Sequence, residues 1–300
     1  MAAGTLVSSV ISMMVIVSAV IGGVAVLLAG NLPWVAVLAP LNLRVASGVP
    51  WAILPMALYL YLYWRYIGGR LGAPSTAGRR REYLRANAVP ATAWPLAIAT
   101  GLVGFGALFA LLDVMARVTT MPGTEPIQVP EGIPRATVFT LLTMSSAVAG
   151  ITEEAGFRGY MQGPIERRHG LAIAILVNGT MFGLLHFPNH PNEVLSMLPY
   201  YIAVSAVYGG VTWATNSILP AVALHAGGDV WSLTRLWATG RPEWQLSATP
   251  PALVWTTGIT AGFLGAVGLL VALAVVTAVL CRWLRRVVES PGPRLQQEEG

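Results

Sequence analysis

The first charged side chain in this sequence is Arg44, and ahead of it Leu6 to Gly30 forms one long apolar run. A helix needs about 20 such residues to cross a bilayer. The rest of the chain continues the pattern. Hydrophobic residues make up 55% and charged residues 10% of the 300, where a soluble domain carries about 25% charged residues. So few charges cannot cover a globular surface in water, and the chain reads as a polytopic membrane protein. The Leu6–Gly30 run lacks the basic start and short apolar core of a cleaved signal peptide, so it reads as a retained anchor. The single cysteine, Cys281, excludes an internal disulfide framework and a multi-cysteine zinc site.

Further apolar runs at about 50–66, 93–113, 136–153, 171–187, 194–214, 217–237 and 253–281 bring the expectation to an all-α transmembrane bundle of about eight spans. Segment 31–43, broken by Pro33 and Pro40, is too short to cross and is expected at the interface or dipping in and out. The basic residues are 18 arginines without a lysine, against 13 acids, for a net charge of +5. In an eight-span arrangement, thirteen arginines fall on one side, in loop 65–92, segment 158–170 and the tail; Arg44, Arg117, Arg135, Arg235 and Arg241 fall on the other. By the positive-inside rule this places both termini in the cytoplasm of a cell-membrane protein. It also accounts for the basic excess without a nucleic-acid partner. Loop 119–135 is rich in Pro and Gly and reads as irregular. The polar tail 289–300 reads as disordered, and loop 75–90 as room for a short amphipathic helix on the anionic leaflet.

Charges inside spans are costly, which makes them functional candidates. They cluster in three places. Glu153 and Glu154 close the fourth span, and Arg158 follows Glu154 by one helical turn, in reach of an ion pair. Glu153, turned about 100° from its neighbour on an α-helix, is free to face something else. A charged helix end at the interface is the plainer alternative. His186 ends the fifth span, four residues after Phe182. Asn178 lies two turns earlier, as a partner for that histidine or as a helix-packing hydrogen bond. In the seventh span His225 and Asp229 are also one turn apart, with Gly227 and Gly228 between them to admit a neighbouring helix. Asp229 has no local cation and needs a donor, a metal or a proton. A buried His–Asp bond holding two helices together is the alternative here.

Taken together, one free glutamate, two histidines and an aspartate on three spans suit hydrolysis by activated water. The chain has no G-x-S-x-G nucleophile, no H-E-x-x-H helix and no Walker A loop. The three clusters, Glu153-Glu154-x-x-x-Arg158, Phe182-x-x-x-His186 and His225-x-x-x-Asp229, resemble in order and separation the motifs of the CPBP (Abi, CAAX-protease) intramembrane proteases. The resemblance covers about residues 136–235. With the span reading, the chain is expected to divide into an N-terminal helical part over 1–130 with an Arg-rich cytoplasmic loop, a catalytic core over 131–240, and a last span with a polar tail over 241–300.

The resemblance also implies a peptidase that cleaves a membrane-tethered peptide or protein in contact with membrane lipid. Glu153 would be the acid that activates water. His186, His225 and Asp229 would line the cavity, with Glu154, Arg158, Asn178 and Phe182 in support. Eukaryotic members carry Asn where this chain has Asp229. Ionised Asp cannot donate to an oxyanion, so Asp229 is expected to be protonated, to orient His225 or to bind metal. Two mechanisms stay open. In one, Glu153 acts without metal and the histidines stabilise the oxyanion. In the other, His186, His225 and Asp229 hold Zn²⁺, as in a metalloprotease. A non-catalytic immunity or scaffold protein of the same fold is the main rival, and a proton-coupled transporter, lacking the usual repeat, is a weaker one.

The topology leaves one conflict. With Glu153 near the inner end of its span, His186 falls near the outer end of the next.

Overall fold

The computed structural model describes residues 2–45, 48–123, 126–186 and 194–290. Among the described residues every regular element is helical. In chain order these are α1 (Ala2–Leu32), a π-helical turn (Pro33–Leu38), α2 (Ala39–Arg44), α3 (Ile53–Ile67), α4 (Pro74–Leu84) and α5 (Trp94–Val118). Then follow α6 (Arg135–Glu153), a second π-helical segment (Glu154–Met161), α7 (Gln162–His169), α8 (Leu171–His186), α9 (Val194–Thr215), α10 (Leu219–Thr239), the short α11 (Val254–Thr257) and α12 (Ala261–Glu289). The protein is an all-α membrane bundle.

Five helical stretches are long and apolar enough to cross a membrane: Ser8–Arg44, Ala91–Val118, Arg135–His169, Leu195–Thr215 and Ala261–Glu289. The other three expected spans are present as helices but fall short of that standard. Helices α3 and α8 have 15 and 16 residues. Helix α10 is long enough at 21 residues but is diluted by His225, Asp229 and Arg235.

Segment 31–43 departs from expectation, because the helix does not break there. It runs on through Pro33 by widening into π geometry. Proline removes one backbone donor and crowds the preceding turn, and a wider turn relieves both. Trp34 anchors this stretch by donating from Nε1 to Ser145 Oγ at 2.8 Å. The loop expected over 75–90 does hold a helix, α4. Loop 119–134 carries no helix where it is described, with residues 124 and 125 outside the described residues. Of the tail expected to be disordered, residues 291–300 also lie outside them.

The helices pack in pairs: α5 along α12, α8 along α9, α6 along α10, and α1 onto the second π segment. Lipid offers apolar side chains no less than a neighbouring helix does, so close packing between helices depends on small residues. Gly23 and Gly156 meet reciprocally, and a Cβ built on either would lie 2.7 Å from the other's carbonyl oxygen. Gly150 is equally tight against α10, where a Cβ would lie 2.8 Å from Ala226 N. The glycines expected to admit a neighbour, Gly227 and Gly228, do not do so. A Cβ would meet nothing within 4 Å at the first and only ordinary contacts at the second. The close approach is made one residue earlier, by Ala226 against Gly150.

This packing carries a test. Gly156→Ala is expected to lower stability by about 1–3 kcal/mol, the usual cost of overpacking between backbones that cannot yield. Gly22→Ala, where a Cβ meets nothing within 4 Å, should leave the unfolding midpoint in detergent unchanged or raised.

Candidate active site

The site is assembled where α6 passes into the second π segment. Here α6 ends in Glu153, and Glu154 opens eight residues with an i→i+5 bonding pattern. The wider turn keeps Glu154 and Arg158 on one face. Both are fully buried, and Arg158 Nη1 donates to Glu154 Oε1 at 3.0 Å. Arg158 Nη2 donates to Ser205 Oγ on α9 at 3.2 Å. Its guanidinium carbon lies 5.1 Å from the Tyr208 ring centre and 5.6 Å from those of Phe157 and Phe182. The cation is therefore caged by aromatic faces.

Glu154 does more than the expected support of Arg158. Its Oε1 also lies 2.7 Å from His225 Nδ1. A carboxylate paired with arginine only accepts, so Nδ1 carries the hydrogen. That fixes the tautomer and turns Nε2 toward the cavity. Nε2 lies 3.7 Å from Glu153 Oε2 and 3.5 Å from Asp229 Oδ2. The two glutamates thus take opposite ring nitrogens of one imidazole. Glu153 forms no ion pair with Arg158, as the helical period suggested. Tyr208 stacks flat on His225, with ring centres 4.9 Å apart and an interplanar angle of 11°.

His186 sits at the end of α8. Its Nδ1 is 2.7 Å from the Phe182 carbonyl oxygen, which again assigns the hydrogen to Nδ1. Its ring stacks on Tyr201 at 4.9 Å. Phe182 touches both imidazoles, 4.7 Å from His186 and 6.3 Å from His225 between ring centres.

Glu153, His186, His225 and Asp229 all line one cavity of about 280 Å³. The depth conflict posed by the sequence disappears in this arrangement, since the ends of α6 and α8 meet the middle of α10 at a common chamber. The side chains of Glu153 and Asp229 are 15% and 30% exposed and that of His225 5%, so the carboxylates are open to the chamber while the imidazole is held. Asn178 is not part of it. Its Nδ2 donates to Ala174 O on its own helix, so this bond joins it neither to His186 nor to a neighbouring helix.

Among the described residues, no three His, Cys, Asp or Glu side chains are grouped as a metal site would require. The proposed zinc ligands His186, His225 and Asp229 share the cavity without converging in it, so the residues as placed do not fit a three-ligand metal.

Other wall residues had escaped the motif reading. Tyr201, Val204 and Tyr208 line the chamber from α9 at spacings of three, four and seven, a stripe that helical periodicity could have exposed. Pro242, Glu243 and Trp244 close it from the loop after α10. No periodic signal marks a loop. It is fastened by Ser232 Oγ donating to Glu243 Oε2 at 2.6 Å, by the Arg235 guanidinium donating to the Pro242 and Gln245 carbonyls, and by Trp244 Nε1 donating to Pro122 O at 2.9 Å.

Residues 135–231 match a family model described as type II CAAX prenyl endopeptidase, Rce1-like. Over that stretch, about a third of the chain, the sequence is similar to the CAAX-protease family. The match spans α6 to the middle of α10 and includes every residue of the three clusters. It supports a membrane peptidase of the CAAX-protease type acting on a membrane-associated substrate. No curated protein and no solved structure matches the chain.

Proposed function

We propose that the chain is an intramembrane endopeptidase in which Glu153 activates water against a peptide bond of a membrane-tethered peptide or protein. The observation that carries this reading is the imidazole of His225. It is gripped at Nδ1 by a buried Glu154–Arg158 pair and presents Nε2 beside Glu153 in a chamber large enough for water and a peptide carbonyl.

The steps follow from this geometry. The Glu153 carboxylate takes a proton from water, and the hydroxyl adds to the carbonyl carbon. The tetrahedral oxyanion needs donors nearby. His225 supplies one when its ring carries a second proton on Nε2, which lies 3.5–3.7 Å from the two carboxylates. In this reading Asp229 acts through His225, whose Nε2 lies 3.5 Å from its carboxylate. His186, whose Nδ1–H is held by the Phe182 carbonyl, supplies a second donor when its Nε2 is protonated as well. Glu153 then passes its proton to the leaving amine as the C–N bond breaks.

The loop bearing Glu243 and Trp244 forms part of the chamber wall. The reading needs no metal. The arginine asymmetry supports cytoplasmic termini in a cell membrane, provided that α3, α8 and α10 also cross.

The test compares protein N-termini in membranes from cells carrying wild type, Glu153→Gln or His225→Ala. New termini found only with wild type are expected. Termini that persist in Glu153→Gln would overturn the mechanism. A cellular phenotype intact in both variants would indicate a binding protein. Stoichiometric zinc in the purified wild type, lost in His225→Ala, would overturn the metal-free form.

A further inference from the structure

A second cavity, of about 510 Å³, lies on the other face of α9 and is walled by α5, α8, α9 and α12. It stands on observations separate from the proposed reaction, although Leu108 reaches both chambers. Along α12 its wall runs from Leu270 through Ala274 and Ala278 to Arg282. The one hydroxyl on that stretch, Thr277 Oγ1, donates to Leu273 O of its own helix at 2.7 Å. The groove therefore offers buried water almost no partners, and an apolar space of this kind does not hold water. In a bilayer it is filled by hydrocarbon.

The polar end is different. Arg282 is exposed and, among the described residues, has no hydrogen bond or ion pair. Its neighbour Arg285 is engaged, donating to Glu289 at 2.7 Å and lying 4.3 Å from the Trp213 ring centre. From Leu270 to Arg282 the rise along α12 is about 18 Å at 1.5 Å per residue. One leaflet's hydrocarbon is about 15 Å deep, half the bilayer core. The groove thus spans one leaflet, with an uncommitted guanidinium at headgroup level and an apolar floor near the midplane.

We propose that this groove is a binding site for an anionic phospholipid, with one acyl chain laid along α12 and its phosphate held by Arg282. A guanidinium fork matches two phosphate oxygens. The chain would fill the space where α5, α9 and α12 leave a gap, and so brace the face of α9 opposite Tyr208.

The test uses purified full-length protein and native mass spectrometry, with phosphatidylglycerol and phosphatidylcholine of identical chains, and glycerol 3-phosphate as a headgroup without chains. Wild type should retain one phosphatidylglycerol, bound about tenfold or more tighter than phosphatidylcholine. Arg282→Gln, at an exposed position, should erase that preference while keeping its unfolding midpoint in phosphatidylcholine. Ala274→Trp, which fills the groove from its lipid-facing wall, should abolish retention of either lipid. Equal retention of the two lipids by wild type would overturn the proposal, as would an unchanged preference in Arg282→Gln. Competition by glycerol 3-phosphate as strong as by the whole lipid would also overturn it, because the groove would then contribute nothing.

Discussion

Arg158→Met is expected to destabilise the protein by about 3–5 kcal/mol, the cost of leaving one partner of a buried ion pair alone. Glu154 has a side chain with 0% exposure, and without the guanidinium its charge would be left in the interior with only His225 for compensation. The loss extends beyond the pair, because Arg158 also donates to Ser205 on α9 and fills the cage of Phe157, Phe182 and Tyr208. The double variant Glu154→Gln/Arg158→Met separates these contributions. It removes both charges and keeps an amide oxygen that can accept from His225 Nδ1. Its unfolding midpoint in detergent should therefore recover most of what the single variant loses. Equal instability of the single and double variants would show that the aromatic cage, and not the charge pair, holds the π segment in place.

Glu153→Gln is expected to lower kcat by about 10²–10⁴-fold, the usual contribution of a positioned general base, with little change in KM. The amide is nearly the same size as the carboxylate and makes no ion pair with Arg158 to be lost, so the unfolding midpoint should stay close to that of wild type. This separates the two neighbouring glutamates cleanly. Changes at Glu153 should affect turnover, and changes at Glu154 both turnover and stability. The assay is cleavage of a purified substrate defined by the N-terminal comparison above, under saturating and limiting substrate. A fall confined to KM would assign Glu153 to substrate binding, and wild-type turnover would remove it from the mechanism.

The sequence revealed the parts of the site but not the joint between them. Apolar runs located α8 and α10 to within about two residues, and the spacing of Glu154 and Arg158 identified their ion pair. Each of those signals is local. The bond from Glu154 to His225 joins residues 71 apart and depends on how α10 lies against α6, which Gly150 and Ala226 decide. A glycine in an apolar helix carries no visible sign of which neighbour it admits, and Gly227 and Gly228 looked the better candidates. The π turns were likewise hidden, because helical periodicity assumes the α repeat. Pro33 could be read as a break, whereas the membrane strongly favours keeping backbone groups paired. Of the eight expected spans, five meet the length and apolarity of a crossing helix, α3 and α8 are shorter, and in α10 the functional residues themselves lower the hydropathy. Glu243 and Trp244 lie in a loop, and nothing in their neighbours announces that they fold back over the chamber.

The second π segment has a consequence for the protein's tolerance of length changes. A π-helical stretch holds a residue more per turn than an α-helix can accommodate. Its register acts as a phase shift between α6, which aims Glu153 at the chamber, and α7, whose Gln162 donates to Gly209 O at 3.0 Å and whose Glu166 receives Arg85 at 3.0 Å. A residue inserted between 155 and 157 in ordinary helical geometry would rotate everything after it by about 100°. One end of the helix could then keep its partners only if the other lost them. Loop length around this core carries no such phase, but insertions and deletions in this one short segment must be balanced locally, so its length is set more tightly than its composition.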